Sequence, residues 1–411
     1  MGRRRQSGVD GDGAVTGTSD PPPYRWIADQ REFDAFVEAA ASAGAFALDT
    51  EFHRERTYYA HLALLQLAAG GDTVVVDPLA VEVAPLRALL DSEVVCIMHA
   101  ASQDLEILER SCGVGPRHLV DTQVAAGFVG LGAPGLGVLL QRRLGIHLPK
   151  ADRLTDWLRR PLSDDARSYA AADVAYLDDL WVSLRTELEE RGRLEWAIDE
   201  CDGTRDRHRV PADAEVAWWR IKEARRLKGK ARGVAQCVAA WRERRARELD
   251  RPVRHILPDL AVVAIAERPP RSRGDLGKVR GLDGRHLKNG AGDDLMLAVK
   301  AGAELLDGEL RLPPRDGVDS TFRPAVTLAS AWVSQLSRDA DLDASLVATR
   351  ADIESLVRGD ESSRLLSGWR ADVAGIPVKR LLEGNAALAF DGEGSLVLEA
   401  RSHQPPPGAD A

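Results

Sequence analysis

Cysteine is scarce: the 411 residues include four, Cys96, Cys112, Cys201 and Cys237. They are scattered and form no C-x-x-C pair, which argues against a disulfide framework or a zinc site and fits reduced thiols in a cytoplasmic chain. No apolar run approaches the ~20 residues that a membrane-spanning helix needs. The basic start Met1-Gly-Arg-Arg-Arg-Gln-Ser7 has no apolar segment behind it, so no secretory leader is expected. Positive charge is short too, with 55 Lys and Arg against 64 Asp and Glu, a net of −9. That excludes a uniformly basic nucleic-acid binder, although the average conceals an asymmetry. Residues 24–200 carry 17 Lys/Arg and 29 Asp/Glu, a net of −12, whereas residues 218–254 carry 13 and 4, a net of +9. Lysine is rare, 8 against 47 arginines, so a lone Arg-Arg pair says little.

What is present is enough chain for two to four domains and a sizeable core. Residues 1–23, rich in Gly, Ser, Asp and Pro, read as a disordered tail. Strands are expected at 45–52, 61–69, 73–77, 94–98 and 118–121. Gly70-Gly71-Asp72 makes a hairpin connection. Helices are expected from Asp29 to about Ala41, at 85–90, at 102–112 closed by Gly113, at 122–130, at 135–145, and from Asp164 to about Gly192. A mixed sheet alternating with helices makes an α/β domain over 24–205. Beyond it, 211–290 reads as helical, with helices at about 213–227, 231–249 and 259–267. Residues 307–320 read as a linker. A third unit, 321–400, shows helical patterns at 325–339, 349–358 and 362–374, closing with a hairpin around Asp391-Gly392-Glu393-Gly394.

The acids carry the chemistry. Asp49 and Glu51, two apart on an apolar strand, project from one face. Carboxylates that close repel each other unless a cation sits between them, and a hard divalent ion is the usual solution. Asp104 falls in the first turn of the helix that follows the strand ending at His99, where the helix dipole favours it. Tyr169 and Asp173 are four apart and share one face of a late helix. Four convergent carboxylates can hold two divalent ions, an arrangement suited to in-line attack on a phosphodiester. His99, Asp121, Tyr176, Asp178 and Asp179 lie nearby and read as packing, structural or solvent-facing residues.

The segments Leu48-Asp-Thr-Glu-Phe52, His99-Ala-Ala-Ser-Gln-Asp-Leu-Glu-Ile-Leu108 and Tyr169-Ala-Ala-Ala-Asp-Val-Ala-Tyr-Leu177 resemble the three exonuclease motifs of the DEDD superfamily, in its tyrosine-containing branch. Order, spacing and context over 24–200 resemble the ribonuclease D family most closely. Arg56-Thr-Tyr-Tyr59, Leu64-Leu-Gln-Leu67, Asp121-Thr-Gln-Val-Ala-Ala126 and Asp156-Trp-Leu-Arg-Arg-Pro-Leu-Ser163 also look like that family. The resemblance implies a ribonuclease H-like nuclease fold followed by two small all-α domains. It also implies a 3′→5′ exoribonuclease that releases 5′-mononucleotides with two Mg2+ or Mn2+ ions. Its RNA would be tRNA precursors or other structured 3′ ends, with no membrane involved. Carried over by position, Asp49 bridges both ions. Glu51 and Asp173 complete the site that activates water, Asp104 holds the second ion, and Tyr169 orients the attacking water.

Residues 211–290 resemble the HRDC domain through Ala217-Trp-Trp-Arg-Ile-Lys222, Val238-Ala-Ala-Trp-Arg-Glu243 and Ile256-Leu-Pro-Asp259. With Gly229 and Gly233 in a first interhelix loop, Arg225, Arg226, Lys228, Lys230 and Arg232 would contact RNA phosphates. Residues 321–400 take the place of the second helical module. Competing readings are a 3′→5′ DNA exonuclease on the same site, separated by matched RNA and DNA oligonucleotides, and a non-catalytic RNA-binding adaptor, which the complete acidic set opposes. A fragment ending near Asp202 is expected to cleave short strands by itself.

Overall fold

The structure, a computed structural model, describes residues 21–148, 155–208, 213–313 and 318–401. Most of the expected N-terminal tail lies outside the described residues. Six strands form one sheet: β1 (Arg25–Ile27), β2 (Ala45–His53), β3 (His61–Ala69), β4 (Asp72–Val76), β5 (Val95–Met98) and β6 (Leu119–Asp121). They lie in the order β1-β4-β3-β2-β5-β6. The β2–β3–β4 meander is antiparallel, while β1, β5 and β6 run parallel to their neighbours. The three-residue β1 is absent from the sequence reading because it is too short to show a period.

Among the described residues, eight helices flank the sheet: α1 (Gln30–Ala40), α2 (Leu86–Leu90), α3 (Ser102–Cys112), α4 (Thr122–Gly127), α5 (Leu136–Leu144), α6 (Asp164–Ala175), α7 (Leu177–Glu190) and α8 (Leu194–His208). The helix expected from Asp164 to Gly192 breaks at Tyr176, whose φ of −115° leaves the helical range. Alternation along β2 assigns the two cores. Phe46 and Leu48 pack with Phe33, Leu105 and Leu108 on one face, and Ala47 packs with Ile97, Val174 and Trp181 on the other.

The second unit holds α9 (Lys230–Glu248), α10 (Val253–Ile256), α11 (Asp259–Glu267), α12 (Arg273–Leu276) and α13 (Ala291–Glu304). Four expectations need correction here. Residues 213–227 form two 3₁₀ turns, Ala214–Arg220 and Ala224–Arg226, separated by extended Ile221. Trp218 and Trp219 both donate their indole N–H to the Arg311 carbonyl, an anchor that spacing does not reveal. Buried Gln236 donates to the Glu309 carbonyl and accepts the Arg311 N–H, so the first part of the expected linker is pinned to this unit. Its core also reaches past 290 to Leu295 and Val299 of α13. Gly233 lies inside α9, not in a loop, and a Cβ there would stand 2.5 Å from the Gly302 carbonyl oxygen of α13.

The third unit contains α14 (Arg323–Asp339), α15 (Ala344–Val347), α16 (Arg350–Val357), α17 (Gly368–Arg370), α18 (Ile376–Leu382) and the hairpin β7–β8 (Ala386–Phe390, Leu396–Ala400). It therefore mixes helices with a two-stranded sheet. Its Trp332, Val347, Leu365 and Trp369 join Phe128, Trp181 and Leu184 of the nuclease in a single apolar cluster. Trp369 stacks on Trp196 at 5.3 Å and meets Phe128 edge-on at 5.1 Å.

Candidate active site

The acids meet where β2 outruns its neighbour. β5 pairs with β2 only along Ala45–Ala47, which leaves the β2 edge beyond Ala47 free on that side. After β5 the chain turns into α3, and its first turn comes up against that edge. The Thr50 hydroxyl donates to the Asp104 carboxylate, which is buried at 6% exposure. Asp121 fixes the approach. Its carboxylate accepts the N–H groups of Ala100 and Ala101, just before α3, and that of Gln123 in α4. His99 shares Nδ1 with the Thr122 hydroxyl at 2.9 Å, a packing role in keeping with its sequence reading.

From the opposite side, α6 approaches on the small residues Ala170, Ala171 and Ala172, all buried. Ser163 caps this helix by accepting the Ala166 N–H. Before it, Arg160 grips Asp77 at the end of β4 with two hydrogen bonds and donates to the Ala63 carbonyl. Trp157 stands beside Tyr169, with ring centroids 6.5 Å apart. Tyr169 and Asp173 share one face of α6, close enough for the hydroxyl to favour the ionised carboxylate.

Electrostatics show that the four carboxylates share one site. Asp49 is held well above the usual carboxylate range, first by burial and then by Asp104, Asp173 and Glu51. Burial, then Asp173 and Asp104, push Glu51 up to about 8. Burial raises Asp173 to about 7 against the pull of the Tyr169 hydroxyl, and raises Asp104 to about 6 against the Thr50 hydroxyl. Tyr169 is pushed upward as well, by burial and by the same acids, and so remains a neutral phenol. Among the described residues, no three such side chains already form a ready cage for one ion. Asp104 is turned to Thr50, while the upward shifts of Asp49 and Glu51 register Asp104 and Asp173 as charged neighbours of both. The donor set suits a hard divalent cation: oxygen ligands only, and negative charge that burial makes costly. Gln66 adds to this. It pairs with Asp49 across β2–β3 and is fully buried, and neither its side-chain oxygen nor its nitrogen has a partner.

The structure thus brings together all five residues singled out as catalytic. Thr50, Gln66 and the Arg160–Asp77 clasp are not evident from the sequence, because cross-strand and loop partners leave no spacing in it. Of the basic loop, Arg225, Arg226, Lys228 and Lys230 are exposed. Arg232 is partly buried and donates to the Leu227 carbonyl, so it closes the turn before α9.

Comparison with known proteins supplies the family. The family model for 3′-5′ exonuclease matches residues 24–189, and the model for the HRDC domain matches 231–299. Ribonuclease D of Sphingobium indicum is 36% identical over 88% of this chain and 95% of its own length. Ribonuclease D of Escherichia coli is 32% identical over 88% of this chain and 98% of its own. The crystal structure of the E. coli enzyme, described as an exoribonuclease involved in structured RNA processing, superposes with a TM-score of 0.77 at 31% identity. That match covers 88% of this chain and 99% of that one. An acidic site between β2, α3 and α6, a helical annex in the HRDC position and similarity along nearly the whole length lead to one conclusion: the chain belongs to the ribonuclease D family of 3′-5′ exoribonucleases.

Proposed function

We propose that this chain removes 5′-mononucleotides from RNA 3′ ends, on tRNA precursors or other structured RNAs in the cytoplasm, using two Mg2+ or Mn2+ ions. The supporting observation is the mutual repulsion of Asp49, Glu51, Asp104 and Asp173, which share one site against neutral Tyr169. When bound, the ions supply charge that polarises the phosphodiester and lowers the pKa of water. Asp49, central to the repulsion, would face both ions, with Glu51 and Asp173 toward one and Asp104 toward the other. The Tyr169 hydroxyl, on the same helix face as Asp173, can orient water but is too weak an acid to serve as a base near neutral pH. The exposed Arg225, Arg226, Lys228 and Lys230 offer phosphate contacts that weaken with salt.

The deciding test digests RNA labelled at its 5′ end, with and without Mg2+, beside a DNA of the same sequence. The expected outcome is a Mg2+-dependent ladder that shortens from the 3′ end, with mononucleotide 5′-phosphates released and RNA preferred. Faster loss of DNA would reassign the substrate. An intact RNA ladder with a folded protein would leave an RNA-binding adaptor.

A further inference from the structure

A cleft lies between the nuclease and the α9–α13 unit, lined by Tyr58 and Tyr59 on one side and Arg220 and Arg254 on the other. Its volume is about 790 Å3. Arg54, Arg207, Arg220, Arg242, Arg247 and Arg254 line it, against the acids Glu106, Glu243 and Asp259. Six cations against three anions leave a net positive surface on a chain whose nuclease part is strongly acidic. The charges divide into two groups. Arg242 is buried and donates to Asp259 and the Leu257 carbonyl, so it serves the fold. Arg247 donates to the Tyr58 hydroxyl, which in turn donates to Glu243 at 2.5 Å. Arg220 and Arg254 have side chains 68% and 78% exposed, and their acidic neighbours stand at 3.8 and 3.6 Å. These two remain available to a ligand.

Aromatic rings interleave with the arginines. Tyr58 and Tyr59 line the same cleft as an edge-on pair with centroids 4.8 Å apart. Arg110 covers the Tyr59 ring at 3.4 Å. With Arg110 and Arg247 already over the Tyr59 and Tyr58 rings, the rings wall the cleft, and the exposed arginines are the groups left to follow the phosphates of a nucleic-acid strand. The cleft also has the right neighbour. Arg54 follows the strand that carries Asp49 and Glu51, and it pairs with Glu106, two residues beyond Asp104 on α3.

We infer that this cleft binds the phosphate backbone of single-stranded RNA just upstream of the 3′ end being hydrolysed, with Arg220 and Arg254 as its phosphate contacts. The inference rests on the RNA-hydrolase reading above and adds the path by which the strand reaches the acids.

The test measures binding of a 12-nucleotide RNA and of a dinucleotide by the full chain, with Ca2+ replacing Mg2+, across a salt series. The double variant Arg220→Glu/Arg254→Glu should bind the 12-mer about ten-fold or more weakly, and its log–log salt slope should be shallower by about 0.7 for each lost contact. The loss for the dinucleotide should be clearly smaller. Arg220→Gln/Arg254→Gln serves as a second variant should charge reversal lower the melting temperature, and Arg220→Lys/Arg254→Lys should restore most of the binding. Unchanged affinity and slope, with the basic loop intact, overturn the proposal. So does displacement by an acidic peptide with no binding of RNA, which would mark a protein-docking surface. If wild-type protein binds the 12-mer in this way yet never shortens it in Mg2+, the hydrolase reading fails while the cleft stands.

Discussion

Asp49 is held above its ordinary range by burial and by three neighbouring carboxylates, and its replacement separates two effects. On the proposed two-ion site, Asp49→Asn would remove charge facing both ions, so Mg2+-dependent hydrolysis should vanish; a variant retaining the wild-type rate would refute the assignment. The metal-free protein should meanwhile gain stability. The sign follows from linkage: a carboxyl whose pKa is raised in the folded state stabilises it fully below the unfolded value and loses that stabilisation as pH rises through the folded value. For Glu51, raised from 4.5 to about 8, the window runs between those pH values, with Asp104 and Asp173 adding to its lower part. Melting temperature in EDTA should therefore fall from pH 5 to pH 8. Mg2+ should raise it more at pH 8 than at pH 5, and Asn at position 49 should flatten the profile. Tyr169→Phe removes one hydroxyl, and single-turnover rates with saturating RNA should drop on the order of 10²–10⁴-fold with little change in RNA affinity. At this scale the sequence was readable where function is local. Asp49 and Glu51 share a face through strand period alone, and Tyr169 and Asp173 through helix spacing. Gln66 and Thr50 were not readable, because their part depends on which strand or helix lies alongside.

Among the elements, α3 is the one that must arrive in register, and Asp121 sets it by accepting three backbone N–H groups from two segments. Asp121→Ala should cost about 1–3 kcal/mol for each buried N–H left unpaired. It should also lower hydrolysis by misplacing Asp104, with Asp121→Asn recovering part of both; chemical denaturation and initial rates measure the two. Helices α3 and α9 were legible because their apolar residues repeat and glycines mark their ends. The 214–227 segment shows comparable apolar spacing, yet it forms 3₁₀ turns because Trp218 and Trp219 are drawn to one carbonyl almost a hundred residues away in the chain. Spacing cannot show a tertiary anchor of that kind, nor that Gly233 is small because α13 crosses it.

The whole molecule is less divisible than its sequence. Boundaries in composition suggest three separable units and a free-standing nuclease ending near Asp202. The apolar cluster of β2, α4, α7 and α8 instead continues into α14–α18. Arg193 donates to the carbonyls of Phe128, Ala340 and Asp341, and Arg370 pairs with Glu200 at 2.6 Å. Trp369→Ala should thus cost about 3–5 kcal/mol, and it should shift nuclease and C-terminal signals together in urea titrations. Independent transitions would show separate folding units. The same continuity has a consequence for synthesis. A chain emerging N-terminus first presents its nuclease strands long before Trp369 has been translated, and the surface of Phe128 and Trp196 stays uncovered until then. An enzyme that destroys RNA thereby completes its core only after most of its own message has been read. Ribosome-stalled chains ending near residue 313 should accordingly be cut by protease within α4–α8, whereas released full-length protein should resist.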